Sequence, residues 1–111
     1  MNRLTIGIEG TSPLDEIAST LGDAMGFAPE KRDSVHFGGT YYLGRTHAGE
    51  EFTVFANHDL VDDAPAYPDH ADLRVVVRIH LTDLDADEAT ALLDKTLGTH
   101  SRVLFVEPLR G

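Results

Sequence analysis

The sequence predicts an α+β domain: one mostly antiparallel sheet of about five strands with two helices packed on one face. Three observations carry that expectation. Arg3–Glu9 and Leu73–Leu81 alternate apolar and polar residues with period two, as strands with one buried face do. Two other segments repeat apolar residues at helical spacing between recognisable start and stop residues. Thr40–Arg45 and Glu51–Asn57, joined by a short loop, read as a hairpin.

Taken in order, the first strand sets Leu4, Ile6 and Ile8 against Arg3, Thr5, Gly7 and Glu9. Ser12 then offers an N-cap, Pro13 suits a first helical position and Asp15 adds negative charge to the first turn. Leu14, Ile17, Ala18, Leu21 and Met25 follow on one helical face, and Gly26 can close the helix in the left-handed region. Phe27–Gly38 holds Pro29 and the charged run Glu30–Asp33, which predicts a connection with a short strand at Val35–Phe37. The hairpin loop is Thr46–Glu50, where Gly49 supplies the flexible position.

His58–Asp72 is a polar stretch of fifteen residues with Pro65 and Pro68. A loop of that length in a small domain is more often functional than a short one. In Leu73–Leu81, residues Leu73, Val75, Val77, Ile79 and Leu81 share one face; Arg74, Val76, Arg78 and His80 share the other, expected to be solvated. The second helix starts with Asp85 as cap and Glu88 three residues on, buries Ala89, Leu92, Leu93 and Leu97, and stops at Gly98. Arg102–Val106 is the last strand. The resulting order, β-α-β-β-β-α-β, resembles a ferredoxin-like split β-α-β arrangement with an extra strand, a topology that hosts many unrelated functions.

The 111 residues fit a single domain, 1–111, with an ordinary apolar fraction of 41%. With no cysteine there is no thiol catalysis, thiolate metal site or iron–sulfur cluster. Lack of cysteine, of a signal-peptide pattern at the N-terminus and of any long apolar run makes a cytoplasmic protein the expectation. Nineteen acidic against nine basic residues give a formal charge of −10, which disfavours nucleic acid and anionic membranes as partners. The same acidity, with twelve Asp, also serves solubility.

No catalytic motif stands out. Histidines 36, 47, 58, 70, 80 and 100 make no metal-binding spacing such as His-Glu-x-x-His. His58, Asp59, Asp62, Asp63, Asp69 and His70 have suitable ligand chemistry, but prolines and alanines separate them, so the loop reads as solvated and no metal is expected. It also lacks the glycine and terminal glutamate of a calcium loop. His100-Ser101 reads as a polar turn, and no Gly-x-Ser-x-Gly elbow is present. Glu9, Glu107 and His80 could serve as acids or bases only if the fold placed them in a pocket. The glycines match no phosphate-binding loop, and nothing calls for a cofactor.

The charge distribution is the remaining signal. Between Arg45 and Arg74 there is no Lys or Arg, while Glu50, Glu51, Asp59, Asp62, Asp63, Asp69 and Asp72 all fall there. With Tyr67 stiffened between Pro65 and Pro68, they suggest carboxylates that steer a basic protein and an aromatic that anchors it. The expected function is therefore a small, non-catalytic protein-binding domain, in its most concrete form an inhibitor of immunity or anti-defence type that blocks a basic enzyme. The alternative is a small-molecule-binding protein or enzyme with a pocket between sheet and helices, lined by Tyr41, Tyr42, His36, His80 and Arg78. A homodimer or assembly subunit, pairing through the hairpin edge or an exposed Phe55, is a third expectation.

Overall fold

The computed structural model describes residues 1–109. Strand β1 (Asn2–Ile8) leads into helix α1 (Leu14–Met25), followed by β2 (Glu30–Ser34), a 3₁₀ turn (Val35–Phe37), β3 (Gly39–Arg45) and β4 (Glu51–Ala56). A long loop containing a second 3₁₀ turn (Pro68–His70) reaches β5 (Val75–Thr82), then helix α2 (Ala86–Leu97) and β6 (Ser101–Pro108). All six strands form one sheet in the order β2-β3-β4-β5-β1-β6, and every neighbouring pair is antiparallel. No helix among the described residues is long and apolar enough to cross a membrane.

Both helices cover one face. Leu4, Ile6 and Ile8 of β1, Phe52 and Val54 of β4, and Val75, Val77 and Ile79 of β5 meet Ile17, Ala18 and Leu21 of α1 and Ala89 and Leu93 of α2 in one buried core. At about 25 cal/mol per Å² of apolar surface removed from water, this layer supplies the main force holding the helices down. Gly44 on β3 belongs to it, since a Cβ there would stand 2.0 Å from Cδ1 of Phe27, whose ring stacks on Phe52 at 5.2 Å.

The helix ends follow the sequence signals with one exception. Asp85 and Glu88 make the reciprocal capping box at α2, and Gly26 and Gly98 close the helices at φ 80° and 68°. At the start of α1, Ser12 does not cap. Pro13 occupies the cap position, with no side-chain bond to the helix, so Leu14 is the first helical residue.

The sheet has one strand more than expected. Glu30–Ser34 pairs with β3 along its length, from Glu30 opposite Leu43 to Ser34 opposite Gly39, although Glu30 to Asp33 are exposed. An edge strand held by backbone bonds needs no apolar face, and its charges discourage further pairing. Val35–Phe37, expected as a strand, is instead the 3₁₀ turn that swings the chain from β2 into β3; Ser34 Oγ accepts from His36 N.

Two ends of β5 also depart from the simple alternation. Leu81 takes φ 64° and is passed over in the pairing with β1, which runs from His80 opposite Arg3 to Thr82 opposite Asn2. This bulge brings Thr82 into full burial in place of Leu81. Leu73 lies before β5 and packs on the other side of the sheet, where a Cβ on Gly7 would stand 2.2 Å from its Cδ1. The glycine at position 7 is thus required by close approach rather than by a turn.

Candidate functional site

The sheet face turned away from the helices is composed by strand alternation and register. One row across it runs Glu107, Arg3, His80, Glu51, Arg45; the next runs Phe105, Thr5, Arg78, Thr53, Leu43. Beyond these lie Gly7, Val76 and Phe55. Val76, Phe55 and Leu73 are buried because the loop between β4 and β5 folds over that end. The opposite end is left open.

Asn57 holds the loop in place. Its Nδ2 donates to the carbonyls of His70 and Leu73, both at 2.9 Å, and its Oδ1 accepts from Tyr67 N at 2.9 Å. The side chain is thereby almost fully satisfied while buried, as an interior amide has to be. Tyr67 then reaches back to the sheet: its ring lies 5.8 Å from that of Phe105, and its hydroxyl accepts from Arg78 Nη2 at 3.3 Å.

At the uncovered end, Arg3, Phe37, Tyr41, Leu43, Glu51, Thr53, Arg78 and His80 surround a concavity of about 270 Å³. Its wall is aromatic on one side: Phe37 sits edge-on to Tyr41 at 4.8 Å and tilted against Phe55 at 4.7 Å. The Arg78 guanidinium carbon lies 5.7 Å from the Phe37 centroid and 5.4 Å from that of Phe55, within cation–π range.

Arg78 is the distinctive group. It is half-buried, and among the described residues it has no carboxylate within ion-pair distance, whereas Arg3, Arg32 and Arg45 each have one and Arg102 has two; Arg74, which also has none, is exposed. Its Nε is buried with no hydrogen-bond partner among the described residues. Next to it, Arg3 Nε donates to His80 Nδ1 at 3.1 Å, so Nδ1 is the acceptor there and Nε2 is the ring nitrogen left to donate. Glu51 is the acid at the rim, bonded at 2.8 Å to Arg45 on its outer side. A cationic, donor-rich hollow with an aromatic wall stands within a chain of charge −10.

The eight residues singled out for partner binding fall in separate places. Glu50 and Glu51 sit at the start of β4; the other six lie on the loop beyond its far end, a strand length of roughly 17 Å away. Several carboxylates are already engaged. Glu50 accepts from the Thr82 hydroxyl, Asp59 accepts from Val61 N and faces His36 at 3.8 Å, Asp63 pairs with His58 at 3.2 Å, and Asp72 with Arg102 at 3.1 Å. Arg102 donates to Asp72 and so holds that carboxyl below the usual aspartate range; Asp72 and then Glu9 raise the guanidinium in turn. Asp62 is exposed on the loop; Asp69 lines a shallow apolar hollow with Tyr67, Pro68 and Phe105.

Of the five residues proposed to line a small-molecule pocket, Tyr41, His80 and Arg78 do come together, but on the face opposite the helices. The space between sheet and helices is occupied by the core, with Tyr42 packed against it, and His36 is exposed. Arg78 and His80, expected on a solvated face, are half-buried because Phe37 and the loop stand beside them. Arg3 and Thr53 escaped sequence reading because only the strand register makes them neighbours of Arg78 and His80, and Phe37 because the turn that carries it reads as a strand in the sequence. Among the other candidates, Ser101 Oγ donates to Asp94 at 2.7 Å while His100 is exposed, Glu9 pairs with Arg102, and Glu107 with Arg3. Among the described residues no three histidine or carboxylate side chains gather as a metal site would require.

No protein-family model matches the chain, and no curated protein sequence matches it.

Proposed function

We propose that this protein binds a small organic anion in the hollow on the open sheet face. The observation that carries the reading is Arg78: a half-buried guanidinium without a counter-ion among the described residues, flanked by Arg3 and by the Nε2–H of His80. A charge withdrawn from water without a partner costs free energy, and an anionic ligand would offset that cost. The volume, about 270 Å³, lies at the small end of ligand pockets and equals roughly nine water molecules. The test is titration of the ¹⁵N-labelled protein with acetate and with inorganic phosphate. Shifts confined to residues around Arg78 and His80, and abolished in Arg78→Met, are expected; no response to any anion, or an equal response in the variant, overturns the reading.

The sheet order supports a ferredoxin-like assignment as well. Leaving out the β2–β3 hairpin, the remaining order β4-β5-β1-β6 carries both helices as crossovers between parallel strands, β1 to β4 and β5 to β6. In that description the hairpin is the extension that, with Phe37, builds one wall of the hollow.

A second reading, the acidic protein-binding domain and inhibitor of a basic enzyme, is favoured by a different observation. Val35, Leu60 and Val61 are all about half exposed or more, and Leu60 N donates to the Val35 carbonyl at 2.9 Å, so they share one apolar tip beside Asp62 and Asp63. An apolar centre with an acidic rim suits a basic protein surface. Binding of such a partner should weaken as salt rises and fall in the Asp62→Asn, Asp63→Asn double variant; capture unchanged by both rules this surface out.

A further inference from the structure

Resting on the anion-pocket reading, we infer that the ligand is a small aromatic monocarboxylate, its ring on the Phe37–Tyr41 wall and its carboxylate between Arg78 and Arg3. Three features of the hollow point to this class. The aromatic wall and the guanidinium are adjacent, with Phe37 4.8 Å from Tyr41 and 5.7 Å from the Arg78 carbon, so one molecule meets both. Leu43 extends the same apolar strip. An aliphatic acid of two carbons would leave that strip unfilled, and a ring would cover it.

The second feature is the balance of charge. Two arginines line the hollow, but Arg3 is already drawn to Glu107 at 3.5 Å and Glu51 stands on the rim. Among the described residues one net positive charge, that of Arg78, is therefore left uncompensated, and a dianion such as phosphate would exceed it beside the Glu51 carboxylate. A monoanion matches; a dianion does not.

The third is donor geometry. Because Arg3 occupies His80 Nδ1, the ring offers the hollow a donor, and Thr53 adds a hydroxyl that also accepts. The site thus presents donors where a carboxylate has only acceptors. Size permits such a ligand, since the hollow of about 270 Å³ lies at the small end of ligand pockets.

The experiment compares benzoate, acetate, inorganic phosphate and benzamide by NMR titration and calorimetry on the full chain, with Phe37→Leu and Arg78→Met as variants whose folding is checked by their amide spectra. Benzoate should bind about 30-fold or more tighter than acetate, from the added ring area, and tighter than phosphate, while uncharged benzamide should bind far more weakly than benzoate. Phe37→Leu should weaken benzoate about five- to ten-fold and acetate by a smaller factor. Should acetate or phosphate bind as tightly as benzoate, with dependence on Arg78, the aromatic assignment fails while the anion pocket stands. Should none of the anions bind, both fail. Benzamide binding as tightly as benzoate overturns the role given to Arg78.

Discussion

Leu4, Ile6, Phe52, Val54, Val77 and Ile79 turn toward the helices, while their chain neighbours Arg3, Thr5, Glu51, Thr53, Arg78 and His80 turn the other way. The first set is sealed by α1 and α2 and contains no ionisable group. The second is sealed at one end only, by a loop hung on Asn57, and at the other end it keeps a guanidinium half out of water with no counter-ion among the described residues. One face is committed to stability and the other spends some of it. Where a small domain tolerates an uncompensated charge, binding is the use that most readily accounts for it.

That contrast can be broken most forcefully on the helix side. Leu21 is fully buried among the core residues, so Leu21→Ala should cost about 2–5 kcal/mol in urea unfolding. Asn57→Ala should come next, at about 1–3 kcal/mol, because it takes the side-chain partner from the Leu73 carbonyl and the Tyr67 amide and leaves the His70 carbonyl only its bond from Leu73 N. Its effect should also be local: hydrogen exchange should quicken most across residues 58–72 and around Tyr67, while the amides of α1 and α2 quicken only in proportion to the loss of global stability.

Arg78→Met sharpens the comparison from the opposite direction. If the guanidinium is kept for a ligand, its removal should lower stability by less than about 1 kcal/mol or raise it, despite the lost contact with Phe37 and Phe55. A larger loss would make Arg78 a structural residue. The smallest effect belongs to Asp72. Its carboxyl is held low by Arg102, so the pair's contribution is present above the unfolded aspartate value of about 3.9 and is lost as pH falls through the lower folded value. The melting-temperature difference between the wild type and Asp72→Asn should accordingly be small at neutral pH and vanish in acid.

Periodicity and caps made most of the elements legible. The capping box of Asp85 and Glu88, the closing glycines Gly26 and Gly98, and the alternation of β1 are local chemistry, written within a few residues of where they act. The strand Glu30–Ser34 was not legible for a physical reason: an edge strand exposed on both sides carries no apolar alternation and is specified only by the backbone of β3. Leu81 and Leu73 escaped similarly, one through a bulge and the other through a loop that carries it across to Gly7.

The candidate site divides along the same line. The sequence by itself determined that Arg78 and His80 share a strand face, that Tyr41 stands in a hairpin, and that the chain is strongly acidic, since each follows from side-chain period or composition. Only the tertiary structure decided that Arg3, Thr53 and Phe37 join them, that the helix side is filled, and that the loop carboxylates are held apart from Glu50 and Glu51. Strand order and register bring together residues as far apart in the chain as Arg3 and His80, and no local pattern encodes those pairings.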